Sequence, residues 1–359
     1  MRFALIQEGD FLEGESIAQR YEEMVKEAVF AEKMGFSTYC LSEQHFLDKT
    51  CTVSSPEVFL AEVAARTSRL RLRTTSTVLL SFNHPIRVAE RLNTLDLLSK
   101  GRAELGTARS NNLQTLEGFG VPPTESRAQW NESIDIILAA LTREMFDFQG
   151  KFWTVPPRRL TPPSFQKPHP PIFVSATSLE THRNAGERGI GVMTGNSILG
   201  WDYAERCIAE YRKAIKEAKP PEGSVVNNYV GFFVATAHCA DEMKTARAEA
   251  ANVVSGFVDL VIWLFSKLGE SSPDYAYLSQ IREIEKRKRD LEFITDSTPY
   301  FQIGTPDYLM DRFERLHRMG VKELLLRIDG MGHEANMKSI ETFGTKVFPA
   351  MQRRLRETV

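Results

Sequence analysis

Four short stretches of the chain hold side chains able to do chemistry near neutral pH. Glu43-Gln44-His45 sets a carboxylate, an amide and an imidazole side by side. Imidazole titrates near neutrality and can serve as a general base or a donor. A His–Glu pair that only orders its own loop is an equal reading. Ser76-Thr77 is followed by His84-Pro85. Small residues there would let a flat ring approach the backbone, and His84 also suits a plain helix start. Gly106-Thr107-Ala108-Arg109 combines room for a planar ligand with a guanidinium, whose fork of donors matches a phosphate. The same arginine could pair with a neighbouring carboxylate. Ser175-Ala176-Thr177-Ser178, then Thr181 and His182, offers hydroxyls at a helix start, where free N–H groups and the helix dipole suit an anion. Plain capping by Ser or Thr explains that stretch as well.

A repeated unit positions these stretches: a short β-rich run, then an amphipathic helix. The runs are Phe3–Gln7, Thr38–Ser42, Leu70–Val78, Arg102–Ala108, Ile172–Ala176, Gly191–Thr194, Val230–Ala235 and Leu324–Ile328. Ile17, Tyr21, Met24, Ala28 and Ala31 show the helical spacing of the intervening segments. Eight strands alternating with helices imply a parallel α/β sheet. Eight repeats favour a closed TIM (β/α)8 barrel over an open sheet, and no GxGxxG follows the first strand. Barrel active sites lie at the C-terminal ends of the strands. All four stretches fall there, as does the segment 8–14. Arg109 and the Ser178–Thr181 turn follow adjacent strands, so they could close on one phosphate.

Two segments break the rhythm, and residues 1–359 otherwise read as one barrel domain. Between 148 and 171, seven prolines fall within sixteen residues, which no helix or central strand tolerates. This is a surface excursion with room for an edge hairpin. From about 255 to 297, Phe257, Leu260, Val261, Leu264 and Phe265 are apolar at helical spacing and read as core or pocket wall. Trp263 and Phe265 are placed to cover a pocket. The stretch IREIEKRKRD then reads as a solvated helix face, and Asp241 as the cap of the long helix before it.

The formal net charge of -2 argues against an electrostatic grip on nucleic acid. No run of eighteen apolar residues points to a membrane span, and MRFALIQEGD lacks a signal peptide's apolar stretch, so a cytoplasmic location is expected. Four cysteines without CxxC spacing read as reduced. No HExxH, GxSxG or P-loop occurs, and no metal is expected.

The strand-end segments resemble those of the bacterial luciferase-like flavin-dependent monooxygenase family. LSEQHF is similar to the family's LLEHHF after the second strand. TSTVLLSFNHPIRVAERLNTLDLLSKGRAELGTARS resembles its block from the third strand to the fourth, the most specific of the matches. IFVSATSLETHRNAGERGIGVM and IGTPDYLMDRFERLHRMGVKELLL resemble its phosphate-binding and closing segments. Coverage is roughly residues 1–240 and 299–350.

This resemblance implies a TIM barrel that uses reduced FMN, supplied by a separate NAD(P)H–flavin reductase, with O2 as co-substrate. A flavin C4a-peroxide would oxidise a small apolar organic or natural-product substrate by hydroxylation or Baeyer–Villiger insertion. Arg109, Ser178 and Thr181 would hold the FMN phosphate. Ser76 and Thr77 would lie under the ring at the family's non-prolyl cis peptide, with Ala108, Thr177 and Gly195 also facing the flavin. His45 and Glu43 become the first candidates for catalytic or orienting roles, Gln44 for a substrate contact, and His84 a further candidate. Relatives commonly pair through the second and third helices, which implies a homodimer. Three departures separate the chain from luciferase itself. Gln44 replaces the family's usual catalytic His, Ala108 its reactive Cys, and Thr177 a Glu. Gln cannot act as a base at neutral pH. Two other readings remain on this fold: a deazaflavin-dependent hydride transfer, and a non-catalytic flavin-binding subunit.

Overall fold

Strand alternation builds the architecture. In the computed structural model, which describes residues 1–47, 50–195 and 199–357, eight strands close into a parallel barrel. In chain order the strands are β1 (Arg2–Gln7), β2 (Thr38–Leu41), β3 (Arg71–Val78), β4 (Ala103–Ala108), β5 (Phe146–Gln149), β6 (Thr154–Arg158), β7 (Ile172–Ala176), β8 (Gly191–Thr194), β9 (Val230–Val234), β10 (Thr236–Cys239), β11 (Phe301–Gly304) and β12 (Glu323–Arg327). Around the barrel the order is β1-β12-β9-β8-β7-β4-β3-β2. The predicted (β/α)8 barrel is therefore the observed fold.

Successive residues face opposite sides of each strand. Ala4, Ile6, Cys40, Phe173, Met193 and Leu325 meet inside the barrel. Phe3, Leu5, Tyr39, Leu41, Leu324 and Leu326 instead face the helices in the main apolar core. Among those helices, α1 (Ile17–Lys33) is capped by Ser16, whose side chain accepts from Gln19 N–H. In α2 (Pro56–Arg66) and α3 (Pro85–Leu98) proline opens the first turn, where its missing N–H costs nothing.

The floor of the barrel is ionic. Arg73, fully buried on β3, donates to Glu104 on β4 and, across the barrel, to Glu323 on β12, each at 2.6 Å. Arg71 also pairs with Glu104, and Thr38 Oγ1 donates to Glu323 at 2.7 Å. Burial works against ionisation of Glu104, but Arg73 and Arg71 outweigh it and hold the carboxyl below its usual value. Just above this floor Gly106 lets two strands approach closely. A Cβ there would lie 2.1 Å from the Thr74 carbonyl oxygen. The β3–β4 register shifts between Thr74 and Thr77, where the Thr75–Ser76 peptide is cis.

The two excursions take different places. After α4 (Leu113–Gly118) and α5 (Ser126–Thr142), the antiparallel hairpin β5–β6 packs Phe146, Trp153 and Val155 on Ile136 and Ala140 of α5. Two further helices, α6 (Leu179–Glu187) and α7 (Trp201–Ala214), follow β7 and β8. The second excursion, α8 (Met243–Ser271), a 3-10 segment (Pro273–Gln280), α9 (Ile281–Glu285) and α10 (Leu291–Ser297), roofs the barrel mouth. By length and composition α8 could cross a membrane, with a mean hydropathy of 1.5 over its best window. Its Phe257, Val258, Val261, Leu264, Phe265 and Leu268 are buried in the roof cluster.

Several expectations for this region need correction. Phe265 faces inward, but Trp263 is 38% exposed with the Lys267 ammonium over its ring, so it covers no pocket. The charged stretch is helical only over Ile281–Glu285. The α8 N-cap is Glu242, while Asp241 binds Lys346 at 2.5 Å. The parallel pair β10–β11 outside the barrel carries no alternation that the sequence reading used.

Replacing Arg73 with Met would remove the fully buried cation that Glu104 and Glu323 share, leaving them the partly exposed Arg71 and Arg2. We expect a loss of about 3–5 kcal/mol in urea denaturation. A loss below about 1 kcal/mol would mean that the ionic floor does not hold the barrel.

Candidate active site

At the C-terminal mouth of the strands one cavity opens, with about 1280 Å³ between protein atoms when its open side is counted. Of the residues singled out from the sequence, it brings together Glu43, Gln44, Ser76, Ala108, Arg109, Thr177, Thr181 and Gly195. His45, Thr77, His84 and Ser178 stand outside its lining.

Glu43 is the tie between strand ends. Its Oε2 accepts from Val78 N–H at 2.8 Å. Its Oε1 accepts from Asn83 Nδ2 at 2.7 Å and lies 2.9 Å from His45 Nε2. Both oxygens are thus engaged in holding the loops after β2 and β3 together. The His45 ring meets Phe82 and Phe119 edge-on, at 5.7 and 5.0 Å between centroids. This is the loop-ordering pair, one of the two readings left open by the sequence. Gln44 sits between them with its backbone N–H on the Val53 carbonyl at 2.9 Å. His84 is exposed, and its Nδ1 accepts from Ile86 N–H at 3.2 Å as the N-cap of α3. It is a helix cap outside the cavity lining.

Ser76 follows the cis peptide, and its hydroxyl lies 2.5 Å from the Ser175 hydroxyl across β4. Thr77 is fully buried and turns away. Ala108 and Gly195 keep the wall low. A Cβ built on Gly195 would meet nothing nearer than Thr177 Cγ2 at 3.8 Å.

The corner between β4 and β7 is cationic. Arg109 Nη1 lies 3.5 Å from Asp274 Oδ2 and its guanidinium sits 5.0 Å from the Tyr275 ring centroid, yet Nη1, though buried, makes no hydrogen bond. Arg127 binds the same Asp274 carboxylate at 3.0 Å and Glu180 at 3.1 Å. Ser178 caps α6 by accepting from Thr181 N–H at 3.2 Å, and the two hydroxyls are 3.0 Å apart. Thr177 Oγ1 hydrogen-bonds the Tyr277 hydroxyl from the roof. A buried guanidinium N–H left without a hydrogen bond, beside hydroxyls and a helix N-terminus, fits the phosphate of a flavin mononucleotide. Among the described residues, no group of three His, Cys, Asp or Glu side chains could hold a metal ion.

Sequence reasoning missed Arg127, Asp274, Tyr275 and Tyr277, which line or close this corner. Three of the four lie more than 160 residues from Arg109 in a segment without a β/α signal, so no local pattern links them. It also attached no chemistry to Glu8, although Glu8 opens the 8–14 strand-end segment and lines the cavity.

The chain is similar to known proteins in sequence and in fold. A family model described as luciferase-like monooxygenase matches residues 1–323. The chain is 25% identical over 335 residues to the oxygenase component of a flavin-dependent trigonelline monooxygenase from Acinetobacter baylyi, covering 92% of this chain and 90% of that one. It is 24% identical over 349 residues to the alkanal monooxygenase alpha chain of Photobacterium leiognathi, covering 94% and 96%. Among solved structures, monooxygenase RslO1 from Streptomyces bottropensis superposes with a TM-score of 0.79 at 23% identity, covering 98% and 99%. The oxygenating constituent of 3,6-diketocamphane monooxygenase from Pseudomonas putida, solved with FMN, gives 0.76 at 24%, covering 97% and 98%. A coenzyme F420-dependent tetrahydromethanopterin reductase from Methanopyrus kandleri gives 0.70 at 21%, covering 98% and 99%. At these identities the structural likenesses establish the fold.

The start of α6 carries its own pH dependence. Buried His182 donates from Nδ1 to the Ser178 carbonyl at 2.8 Å, so Nε2 accepts from the Thr194 hydroxyl at 3.1 Å. Burial pushes this imidazole down to about 4 from 6.5, against the opposing pull of the Ser178 carbonyl. Below pH 6.5 the unfolded chain binds the proton more readily, so stability present above 6.5 is lost as pH falls toward 4. We expect the melting-temperature advantage of wild type over His182→Gln to shrink across that window; an advantage that stayed constant would refute the assignment.

Proposed function

The chain belongs to the luciferase-like monooxygenase family, and from that membership we propose that it is the oxygenase half of a two-component flavin enzyme. A separate NAD(P)H–flavin reductase supplies reduced FMN, and the enzyme uses it with O2 to oxidise a small, largely apolar organic substrate. Hydroxylation and Baeyer–Villiger insertion are the two outcomes this chemistry allows. The observation that carries the reading is the division of one cavity into a cationic corner at Arg109 and an aromatic chamber under α8. The oxygenase-component description of the trigonelline relative supports the reductase partner.

Bound reduced flavin supplies the electrons that activate O2. The protein's own groups bind, orient and exclude water. Arg109 Nη1, the Thr181 hydroxyl and the positive end of α6, which Ser178 caps, take the phosphate. Ser76, Ala108, Thr177 and Gly195 leave a flat slot for the ring. Glu43 and His45 are positioning residues: they fix the loop that carries Gln44, whose amide contacts substrate. Phe265 and Leu278 from the roof keep water from the reacting atoms. Arg109 also forms a 3.5 Å ion pair with Asp274 of the roof, so phosphate binding and roof closure share one guanidinium.

A cytoplasmic homodimer completes the reading. Val58 on α2 is 72% exposed, and Leu97 and Leu98 at the end of α3 are 41% and 63% exposed. These apolar side chains support pairing through α2 and α3.

Two measurements test the reading. Anaerobic titration with reduced FMN should show binding about 10–100-fold weaker in Arg109→Ala. Equal affinity would remove Arg109 from the phosphate site, and tighter binding of a reduced deazaflavin than of reduced FMN would replace the cofactor. Light scattering should give a dimer for wild type and a monomer for Val58→Glu with Leu98→Glu. A wild-type monomer would overturn the pairing.

A further inference from the structure

We infer that Glu8 selects the substrate by accepting a hydrogen bond from a donor group, best a protonated amine, at the cavity end remote from the phosphate corner. The inference rests on the cavity holding both flavin and substrate.

Barrel order sets the placement. β1 lies across the barrel from β4 and β7, which carry Arg109 and Thr177 just past their ends. Glu8 follows β1, and its backbone N–H donates to Asp329 Oδ2 at 2.7 Å, which fixes the strand end. The side chain is 7% exposed and lines the cavity near Tyr300 and Phe233, whose rings pack edge-on at 5.5 Å.

Only half of the Glu8 carboxylate is engaged. Oε2 takes Arg327 Nε at 3.0 Å and the Cys51 thiol at 3.7 Å. Oε1 has no hydrogen-bond partner among the described residues. The other carboxylate in the lining, Glu43, has both oxygens occupied by Val78, Asn83 and His45. Glu8 Oε1 is therefore the carboxylate oxygen that a ligand can reach. A carboxylate oxygen facing an apolar chamber is costly unless a donor meets it.

Charge favours a cationic donor. Arg327 is shared between Glu8 and Asp10, so two carboxylates face one guanidinium. The cations that line the cavity, Arg109 and Arg127, belong to the opposite corner. An anionic flavin tail and a substrate amine are thus drawn to opposite ends, while a carboxylate substrate is repelled from the Glu8 end. The aromatic and aliphatic walls between the ends suit the apolar remainder of the substrate.

The test uses eight-carbon probes of equal length: octan-1-amine, octan-1-ol, octanal and octanoate. Their affinities for the purified full chain are measured by anaerobic calorimetry, with and without reduced FMN. Octan-1-amine should bind about tenfold or more tighter than octanoate, as a charge-assisted hydrogen bond implies. In Glu8→Gln the preference should fall below about threefold. If that variant does not fold, Glu8→Asp, which withdraws the carboxylate by one methylene but keeps the charge on Arg327, should weaken octan-1-amine by about threefold or more. Octanoate binding as well as the amine, a preference that survives in the variant, or no binding of any probe would each overturn the inference. Amine selectivity lost in Glu8→Gln, without affinity for reduced FMN, would overturn the flavin reading and leave the Glu8 contact standing. FMN binding without amine selectivity would do the reverse.

Discussion

The barrel depends on one buried guanidinium. Arg73 reaches from β3 to carboxylates on β4 and β12, and an apolar side chain in its place would take from Glu104 and Glu323 the one fully buried cation they share. Its consequence for function is spatial. The ionic layer closes the lower half of the barrel, and Ala4, Ile6, Cys40, Phe173, Met193 and Leu325 fill the middle. The cavity opens above these layers, at the C-terminal mouth, where the strand-end residues collect. Gly106 belongs to the same arrangement, since the Thr74 carbonyl occupies the place of its Cβ and lets β3 and β4 approach at the point where the cis peptide presents Ser76 to the cavity.

Above that floor the site is assembled by pieces that hold one another. Glu43 satisfies a backbone N–H, an amide and an imidazole at once, and so fastens the ends of β2 and β3. Asp274 does the same for the roof by meeting Arg109 and Arg127 from a segment far along the chain. The two carboxylates have structural work, which is why His45, with its ring sealed against Phe82 and Phe119, reads as a positioning residue. Gln44 offers no base and Ala108 no thiol to the cavity wall. On the proposed reading, the lining binds and shields a flavin that carries the hard chemistry.

Much of this was legible beforehand. The strand alternation gave all eight barrel strands, and the strand-end rule located the cavity. Eight of the twelve candidate residues line it. The four that do not fail for local reasons. Thr77 falls on the other face of its strand, Ser178 spends its oxygen on a helix cap, His84 caps α3, and His45 is turned into an aromatic cluster by Glu43. Each of those outcomes depends on a rotamer or a partner that a residue type does not specify. Trp263 shows the same limit in the roof: helical spacing places it two residues from Phe265, and two residues on a helix point in nearly opposite directions.

The sequence by itself determined the barrel, the family and the cavity's place, because these follow from periodicity and from motifs contiguous in the chain. It also determined the absence of a base at position 44. The tertiary structure alone decided which groups share the cavity. Asp274 meets Arg109 across 165 positions of sequence, and Glu8 shares Arg327 with Asp10 across more than 300. Closing the barrel brings β1 against β12, and the roof carries Asp274 to Arg109 just past β4, so Glu8 and the cations enter one cavity from different strand ends.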